Sequence, residues 1–255
     1  MKSFFSPIFF LFSLISAEIT NFEHGLSFYE QRALDAVGLK AKGEYIDNAI
    51  NQFSKVMEVD ENNLDAGIYL LKCYYYKGKF VAVSDEKKKE FFNKGKILGE
   101  TLIELYPKSV EVYYWYLVNL GSWAEIYGIL SAAKEGVANT MRRYSNIIIK
   151  MDSTYGDGGG FFLLGAVHLK SPYIPFILSW PSHEKALYFL SKAYDTGDST
   201  PSQTVYLARA LYKNNHKQKA ISMLFALLDQ DMSKKNILED MDQYEIARKQ
   251  LVEWE

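Results

Sequence analysis

Residues 186–229 read ALYFLSKAYDTGDSTPSQTVYLARALYKNNHKQKAISMLFALLD, and this stretch decides the fold class. Ala186 is followed by an apolar residue four positions later and by another small or apolar residue three positions after that. The pattern returns at Ala220, 34 residues further on, and also occurs at Ala49, 137 residues before Ala186 and close to four such periods. These offsets lie on one face of a helix, so each stretch predicts an amphipathic helix whose small residue admits a close neighbour.

Two of these helices are each followed along the chain by another apolar helix. Leu64–Lys77 follows the first and stops at Gly78, and Ser202–Lys213 follows the second and stops at an Asn-Asn turn. Leu70 and Leu207 occupy corresponding places in these two helices and are again 137 residues apart. The two phases of the repeat are therefore in register, which predicts an array of helix pairs.

The rest of the chain follows the helical period more loosely. We predict an insertion at Phe80–Asp85, a loop at Tyr173–Pro181, and further helices at Glu86–Tyr106, Val110–Leu120, Tyr127–Met151, Phe161–Leu169 and Asp240–Trp254. The last helix should cap the exposed end of the array, as stacked repeats require. No strand pattern competes, so the predicted fold is all-α, with four to five degenerate antiparallel helix pairs and a C-terminal capping helix.

The first residues have the order of a secretory signal peptide. Lys2 precedes an apolar stretch from Phe4 to Ile15, and the small residues Ser16 and Ala17 follow. An uncleaved anchoring helix is the alternative, but the stretch is short for a bilayer span, and no lipoprotein cysteine follows it. We therefore expect a signal peptide at 1–17, a helical repeat domain at 18–255, and export to the periplasm or cell envelope.

Composition argues against several classes of function. The formal net charge is −2, from 29 basic and 31 acidic residues, so no positive field attracts nucleic acid. Cys73 is the one cysteine, which excludes an intramolecular disulfide and a zinc site built on several cysteines; we expect it to be buried. The four histidines are not spaced as metal ligands, and His168 lies on an apolar helix face, which favours a core histidine. We expect no metal and no cofactor.

The sequence also offers no catalytic constellation. The glycine run at 156–160 lacks the Lys-Ser/Thr of a phosphate-binding loop and the preceding strand of a dinucleotide fold. No Gly-x-Ser-x-Gly occurs, and no pair of carboxylates stands out. We predict no catalytic residues, and an enzyme is the weakest of the functional hypotheses.

Candidate binding residues come first from a dense aromatic segment. Tyr113–Tyr116 supplies four consecutive rings, and Trp123 and Tyr127 follow. Four consecutive rings on one helix point in different directions, so Trp115, Trp123 and Tyr127 are candidates to line a concave groove or channel. Core packing is the alternative for the same rings.

The remaining candidates surround the glycine run. Tyr155, Gly158 and Gly159 could contact a ligand or partner, because a glycine run leading into a helix can present backbone N–H groups. Tight helix packing is the alternative. Arg142 could meet an anionic ligand through two parallel hydrogen bonds, or could lie on a solvated face.

The repeat phase and the 34-residue step resemble the tetratricopeptide-repeat (TPR) family, best at residues 44–78 and 184–231. A narrower resemblance comes from the centre, where residues 150–165 read KMDSTYGDGGGFFLLG and are followed by a Pro-rich turn and the helix start at Lys185. With the signal peptide and Trp123 before a long helix, this looks like the T-component family of tripartite ATP-independent periplasmic (TRAP) transporters.

That resemblance implies an exported accessory protein that binds the transporter's substrate-binding protein, with a small apolar or carboxylate ligand and a homo-oligomer left open. Many members of that family carry a lipoprotein cysteine, which this chain lacks after the signal. The alternative function is a general TPR scaffold of the cell envelope.

Overall fold

The computed structural model of the chain describes residues 20–176 and 178–254. The predicted signal peptide at 1–17 lies outside these residues. Apart from turns and two isolated bridges, Val37 with Lys40 and Ile174 with Leu178, regular structure in the described ranges is helical. The all-α prediction is confirmed.

The chain divides into two compact units, which we name the N unit, up to Pro107, and the C unit, from Lys108. The helices of the N unit are α1 (20–30), α2 (Gly43–Val59), α3 (Leu64–Tyr76), a π-helical turn (Lys77–Val81) and α4 (Asp85–Leu105). The helices of the C unit are α5 (Val110–Tyr127), α6 (Ile129–Lys134), α7 (Val137–Met151), α8 (Tyr155–Lys170), α9 (His183–Tyr194), α10 (Pro201–Lys213), α11 (Lys217–Leu228) and α12 (Ile237–Trp254).

Within each unit, consecutive helices pack side by side and form pairs. The first helices of the pairs are α1, α3, α5, α8 and α10, and the second helices are α2, α4, α7, α9 and α11. Helix α12 packs on α10 and α11 and closes the end of the C unit. The described residues therefore contain five such pairs, within the predicted four to five, and the predicted capping helix. Helices α2 and α9 also pack on α3 and α10, the helices predicted as their partners.

A glycine on the first helix faces a large residue on the second, and this contact sets the spacing within a pair. A Cβ added to Gly25 would lie 2.6 Å from the ring of Phe53, and one added to Gly165 would lie 2.6 Å from Leu190. Phe53 and Leu190 are the apolar residues four positions after the small residues that defined the repeat, and both are fully buried. The repeat pattern therefore marks the positions where two helices approach most closely.

The prediction of one helix over Tyr127–Met151 is wrong. Helix α5 runs through to Tyr127, and α6 and α7 follow as separate helices. Gly128 and Gly136 stand at the two breaks with φ of 85° and 66°, a backbone region that glycine adopts without a steric penalty. The helical period continues across both positions, so the sequence pattern alone did not show the breaks.

The predicted end of the helix just before Gly78 is confirmed, since α3 ends at Tyr76, but the glycine has another role than stopping the chain. The chain continues through the π-helical turn Lys77–Val81, which ends where the Ala82 N–H donates to the Lys77 carbonyl at 2.9 Å. Gly78 is buried, and a Cβ there would lie 2.6 Å from the ring of Phe92. This glycine is needed for a close approach of α4 rather than for chain termination.

Candidate partner-binding surface

In the C unit the first helix α8 contacts both α5 and α10, and its Lys170 side chain contacts residues of both helices. We name the surface at this contact the first-helix face. It is defined by a carboxylate from α5, a ring and an ammonium from α8, and a ring and a guanidinium from α10, namely Glu125, Phe162, Lys170, Tyr206 and Arg209. Phe162, Tyr206 and Arg209 are half-buried, while Glu125 and Lys170 are exposed.

Tyr206 is the centre of the first-helix face. Its ring meets the ring of Phe162 edge to face, with centroids 5.1 Å apart. The Lys170 ammonium lies 5.0 Å from the Tyr206 centroid, and the Arg209 guanidinium lies 5.7 Å from it. Both distances are within reach of cation–π attraction, so two cations are held against one ring.

Lys170 also forms an ion pair with Glu125, which links α8 to α5. Although the side chain as a whole is exposed, its ammonium is partly desolvated between its neighbours, which disfavours the charged form. The charges and hydrogen bonds of Tyr206 and Glu125 outweigh that effect, and the pKa of Lys170 is raised above its ordinary value. Lys170 therefore remains charged throughout the physiological range and keeps a fixed cation on this face.

Three of the residues predicted from sequence, Trp115, Tyr155 and Gly159, meet around Tyr114 of α5. The ring of Tyr114 packs edge to face on Trp115 at 5.6 Å and on Tyr155 at 5.4 Å. A Cβ added to Gly159 would lie 2.5 Å from the Tyr114 ring. Burial, with a smaller contribution from Asp157, raises the pKa of Tyr114 to about 12. Tyr114 is therefore neutral and serves to pack α5 on α8.

The glycine run forms a left-handed turn at the start of α8. Gly156, Asp157 and Gly158 have φ of 58°, 54° and 82°. A Cβ added to Gly158 would lie 2.9 Å from Thr196, and the Asp157 carbonyl accepts a hydrogen bond from the Gln203 side chain at 2.6 Å. Close packing of this turn on the segment after α9 accounts for Gly158, whereas the Tyr114 ring of α5 accounts for Gly159.

The other predicted residues lie in two further places. Trp123 and Tyr127, one turn apart on α5, stack at 4.3 Å with planes 16° apart, and Trp123 is buried. Arg142 of α7 is exposed and lies over the ring of Trp180, 4.4 Å from its centroid. The seven predicted residues are therefore spread over three places and do not form one site.

Sequence reasoning missed the residues of the first-helix face. Phe162 and Tyr206 are 44 positions apart, and Lys170 and Glu125 are 45 apart. The repeat pattern places each of them on a helix but does not state which faces of α5, α8 and α10 meet. The signal in the sequence is the presence of aromatic and basic residues at matching places on successive first helices. A search for that pattern could have found these residues.

His168 is a buried core histidine, as predicted, in a ring cluster with Trp180 and Phe189. Its Nδ1 accepts a hydrogen bond from the Ser182 N–H at 3.2 Å. Burial, together with the nearby charges of Lys185 and Arg142, lowers the pKa of His168 to about 4. The imidazole is therefore neutral near pH 7 and holds the start of α9 in place.

No group of three or more His, Cys, Asp and Glu side chains placed to hold a metal ion occurs in residues 20–176 and 178–254. None of the helices in those ranges combines the length and apolarity needed to cross a membrane. Cys73 is fully buried, as predicted, and burial raises the pKa of its thiol.

No protein-family model and no curated protein matches the chain. Among solved structures, it is similar to a thermophilic TPR protein of Thermus thermophilus, with a TM-score of 0.61 and 15% sequence identity. The match covers 91% of this chain and 98% of that one. The predicted TPR-like fold is thereby confirmed, and at this identity the similarity concerns the fold alone.

Proposed function

We propose that this protein is a helical-repeat scaffold that binds a partner protein on the first-helix face of its C unit. The observation that carries the proposal is the arrangement around Tyr206, where Phe162, Lys170 and Arg209 converge on one half-buried ring. Tyr and Arg are the residue types that dominate binding energy at protein interfaces. Repeat arrays typically bind through the extended surface that successive repeats create.

The first-helix face is already ordered before a partner arrives. Ring packing and the ion pair with Glu125 restrict the Tyr206 and Lys170 side chains, so less conformational entropy is lost on binding. Two cations and one carboxylate leave a surplus positive charge around an aromatic centre. This chemistry suits a partner segment that presents an apolar side chain next to an acidic one.

The finer proposal is that the protein is exported and that its partner is the substrate-binding protein of a TRAP-type transporter. It is supported by the predicted signal peptide at 1–17 and by the resemblance at 150–186 to the T-component family. A small apolar or carboxylate ligand and a homo-oligomer belong to the same proposal. The alternative, a general scaffold of the cell envelope, is supported by the TPR-like fold and by the same leader.

Site-specific photo-crosslinking in the source cells tests the binding face. A photoreactive phenylalanine analogue replaces Tyr206, and the matched control replaces Tyr188, an exposed tyrosine on the second helix α9 that also has a lysine, Lys192, over its ring. We expect a discrete protein adduct from position 206 and none from position 188. Equal adducts at both positions, or none at 206, would contradict the proposal.

Mass spectrometry of the adduct separates the two finer functions. A substrate-binding protein encoded beside a TRAP permease supports the transport role, whereas an envelope assembly factor supports the general scaffold. Cell fractionation and intact mass test export, with the mature chain expected in the periplasmic fraction and starting at Glu18. An uncleaved chain recovered from the cytosol would contradict export while leaving the binding face untouched.

A further inference from the structure

The connection between α8 and α9, described at residues 171–176 and 178–182, exposes two large aromatic side chains. Phe176 is fully exposed and Tyr173 is 63% exposed, although Leu178 and Pro181 of the same connection are buried. Transfer of a phenylalanine side chain from water to an apolar environment lowers its free energy. A fully exposed phenylalanine ring therefore suggests that an apolar environment outside the chain receives it.

The tip of this loop is fixed by backbone hydrogen bonds. The Ile174 N–H donates to the Leu178 carbonyl at 2.9 Å, and the Leu178 N–H donates back to the Ile174 carbonyl at 2.8 Å. Phe176 lies between them with φ of 65°, a left-handed conformation that bulky residues rarely adopt. Phe176 is fully exposed at this position.

The base of the loop is tied to two helices through Trp180. The indole Nε1–H donates to Asn139 of α7 at 2.9 Å, and the Arg142 guanidinium lies 4.4 Å from the ring centroid. His168 of α8 meets the same ring edge to face at 4.8 Å. The base of the loop is therefore held against α7 and α8.

The elements that hold the loop are basic in a chain whose net charge is negative. Helix α7 contains Arg142, Arg143 and Lys150 and no acidic residue. No Asp or Glu occurs from residue 158 to residue 183, and the first turn of α9 adds Lys185 next to Glu184. An aromatic loop tip beside a cationic helix is complementary to a surface whose outer layer is anionic and whose interior is apolar.

We propose that this loop inserts its tip into the interfacial region of an anionic lipid bilayer and holds the protein at the membrane surface. Tyr and Trp are favoured at the membrane interface, where Tyr173 would lie, and Phe176 would reach the acyl boundary. Arg142 would supply attraction to anionic headgroups. This attachment is independent of the first-helix face.

Cosedimentation with vesicles tests the proposal on the protein as recovered from expressing cells. Its N-terminus is first established by intact mass, so that any retained leader is identical in every variant. The probes are vesicles of phosphatidylcholine alone and of phosphatidylcholine with phosphatidylglycerol in equal parts. We expect binding to the mixed vesicles, Phe176→Ser to weaken it roughly tenfold, and the control Val252→Ser, 75% exposed on α12, to leave it unchanged.

Two further variants separate insertion from folding and from charge. Phe176→Gly removes the ring and relieves the left-handed backbone, so it should lose vesicle binding without losing thermal stability. Arg142→Gln should weaken binding roughly fivefold on the mixed vesicles and leave binding to phosphatidylcholine alone unchanged.

A polarity-sensitive thiol dye at Phe176→Cys reports insertion directly, because Cys73 is buried and its raised pKa keeps it unreactive. Its emission should shift to the blue on mixed vesicles, and the same dye at Val252→Cys should not respond. The proposal is overturned if the protein does not bind the mixed vesicles, if Phe176→Ser binds as well as Val252→Ser, or if the two dyes respond alike.

Discussion

Tyr69 in the N unit and Tyr206 in the C unit are both half-buried tyrosines on a first helix, and both carry a lysine over the ring. The Lys72 ammonium lies 4.4 Å from the Tyr69 centroid, and the Lys170 ammonium lies 5.0 Å from that of Tyr206. Their other neighbours differ. Tyr69 is surrounded by rings, namely Phe22 at 5.8 Å, Tyr29 at 5.5 Å and Phe53, stacked on it at 5.0 Å.

Tyr206, in contrast, has Phe162 as its ring neighbour and the cations of Lys170 and Arg209 beside it, and it packs at the edge of the hydrophobic core of the C unit. Packing between aromatic rings buries apolar area and holds helices together. A cation that lies over an aromatic ring, in contrast, keeps its charged group at the surface, where a partner can reach it. The same pair of residue types therefore has a structural role in one unit and, on our proposal, a binding role in the other.

Phe53→Ala should have the largest effect, because Phe53 fills the space next to Gly25 and stacks on Tyr69. We expect it to lower the free energy of unfolding by about 4 kcal/mol. Urea denaturation followed by circular dichroism measures the change, with the half-exposed Phe225→Ala of α11 as the control at under about 1 kcal/mol. Similar losses in the two variants would show that the ring cluster does not stabilise the N unit.

Replacing Tyr69 should lower the free energy of unfolding more than replacing Tyr206. Tyr69→Ala removes contacts with three rings and should cost about 3 kcal/mol, whereas Tyr206→Ala should cost about 1 kcal/mol. The same denaturation experiment measures both. If Tyr206→Ala proves the more destabilising, Tyr206 is part of the core and the proposed distinction fails.

His168 extends the comparison to a third ring cluster, since it packs between Trp180 and Phe189. Its folded-state pKa of about 4 lies below the ordinary value of 6.5, so the unfolded chain binds the extra proton between these values. The stability that the neutral His168 contributes should therefore be fully present above pH 6.5. The free energy of unfolding should fall by about 1–2 kcal/mol by pH 5.

Denaturation midpoints at pH 7 and pH 5 measure this loss, and His168→Asn, which keeps an acceptor for the Ser182 N–H, should reduce it. The other three histidines are exposed, whereas His168 is buried. An unchanged pH dependence in His168→Asn would place the titrating group elsewhere.

The smallest effects should come from the lysines. Lys170→Met keeps the apolar stem but removes the charge, and we expect a stability change below about 1 kcal/mol because its ion pair with Glu125 is exposed. The yield of the crosslink from position 206 should nevertheless fall, while the matched variant Lys72→Met in the N unit should leave that yield unchanged. Equal yields from the two variants would remove Lys170 from the binding face.

The fold could be predicted from the sequence because the repeat consists of apolar residues at short, regular spacings along the chain. Ala49, Ala186 and Ala220 recur at helical spacing, and all three are fully buried where second helices meet their neighbours. The break at Gly128 escaped prediction because a single glycine does not interrupt an apolar period, and its positive φ is a property of the folded backbone.

The proposed binding face could not be predicted in the same way. Trp115, Trp123 and Tyr155 were candidates because they are large aromatic residues, but the structure packs them against rings of their own neighbourhood. Tyr206 was not a candidate because its significance depends on Lys170, 36 positions away on another helix. Local patterns show which residues are apolar, whereas convergence of separate helices decides which of them form a surface.

Titration calorimetry with the crosslinked partner tests the central claim most directly. The account predicts that Tyr206→Ala weakens partner binding by about tenfold or more, as loss of an interface hot spot does. Tyr188→Ala, the corresponding change of a lysine-bearing tyrosine on the second helix α9, should bind like the unaltered protein. Equal affinities for the two variants would contradict a binding role for the first-helix face.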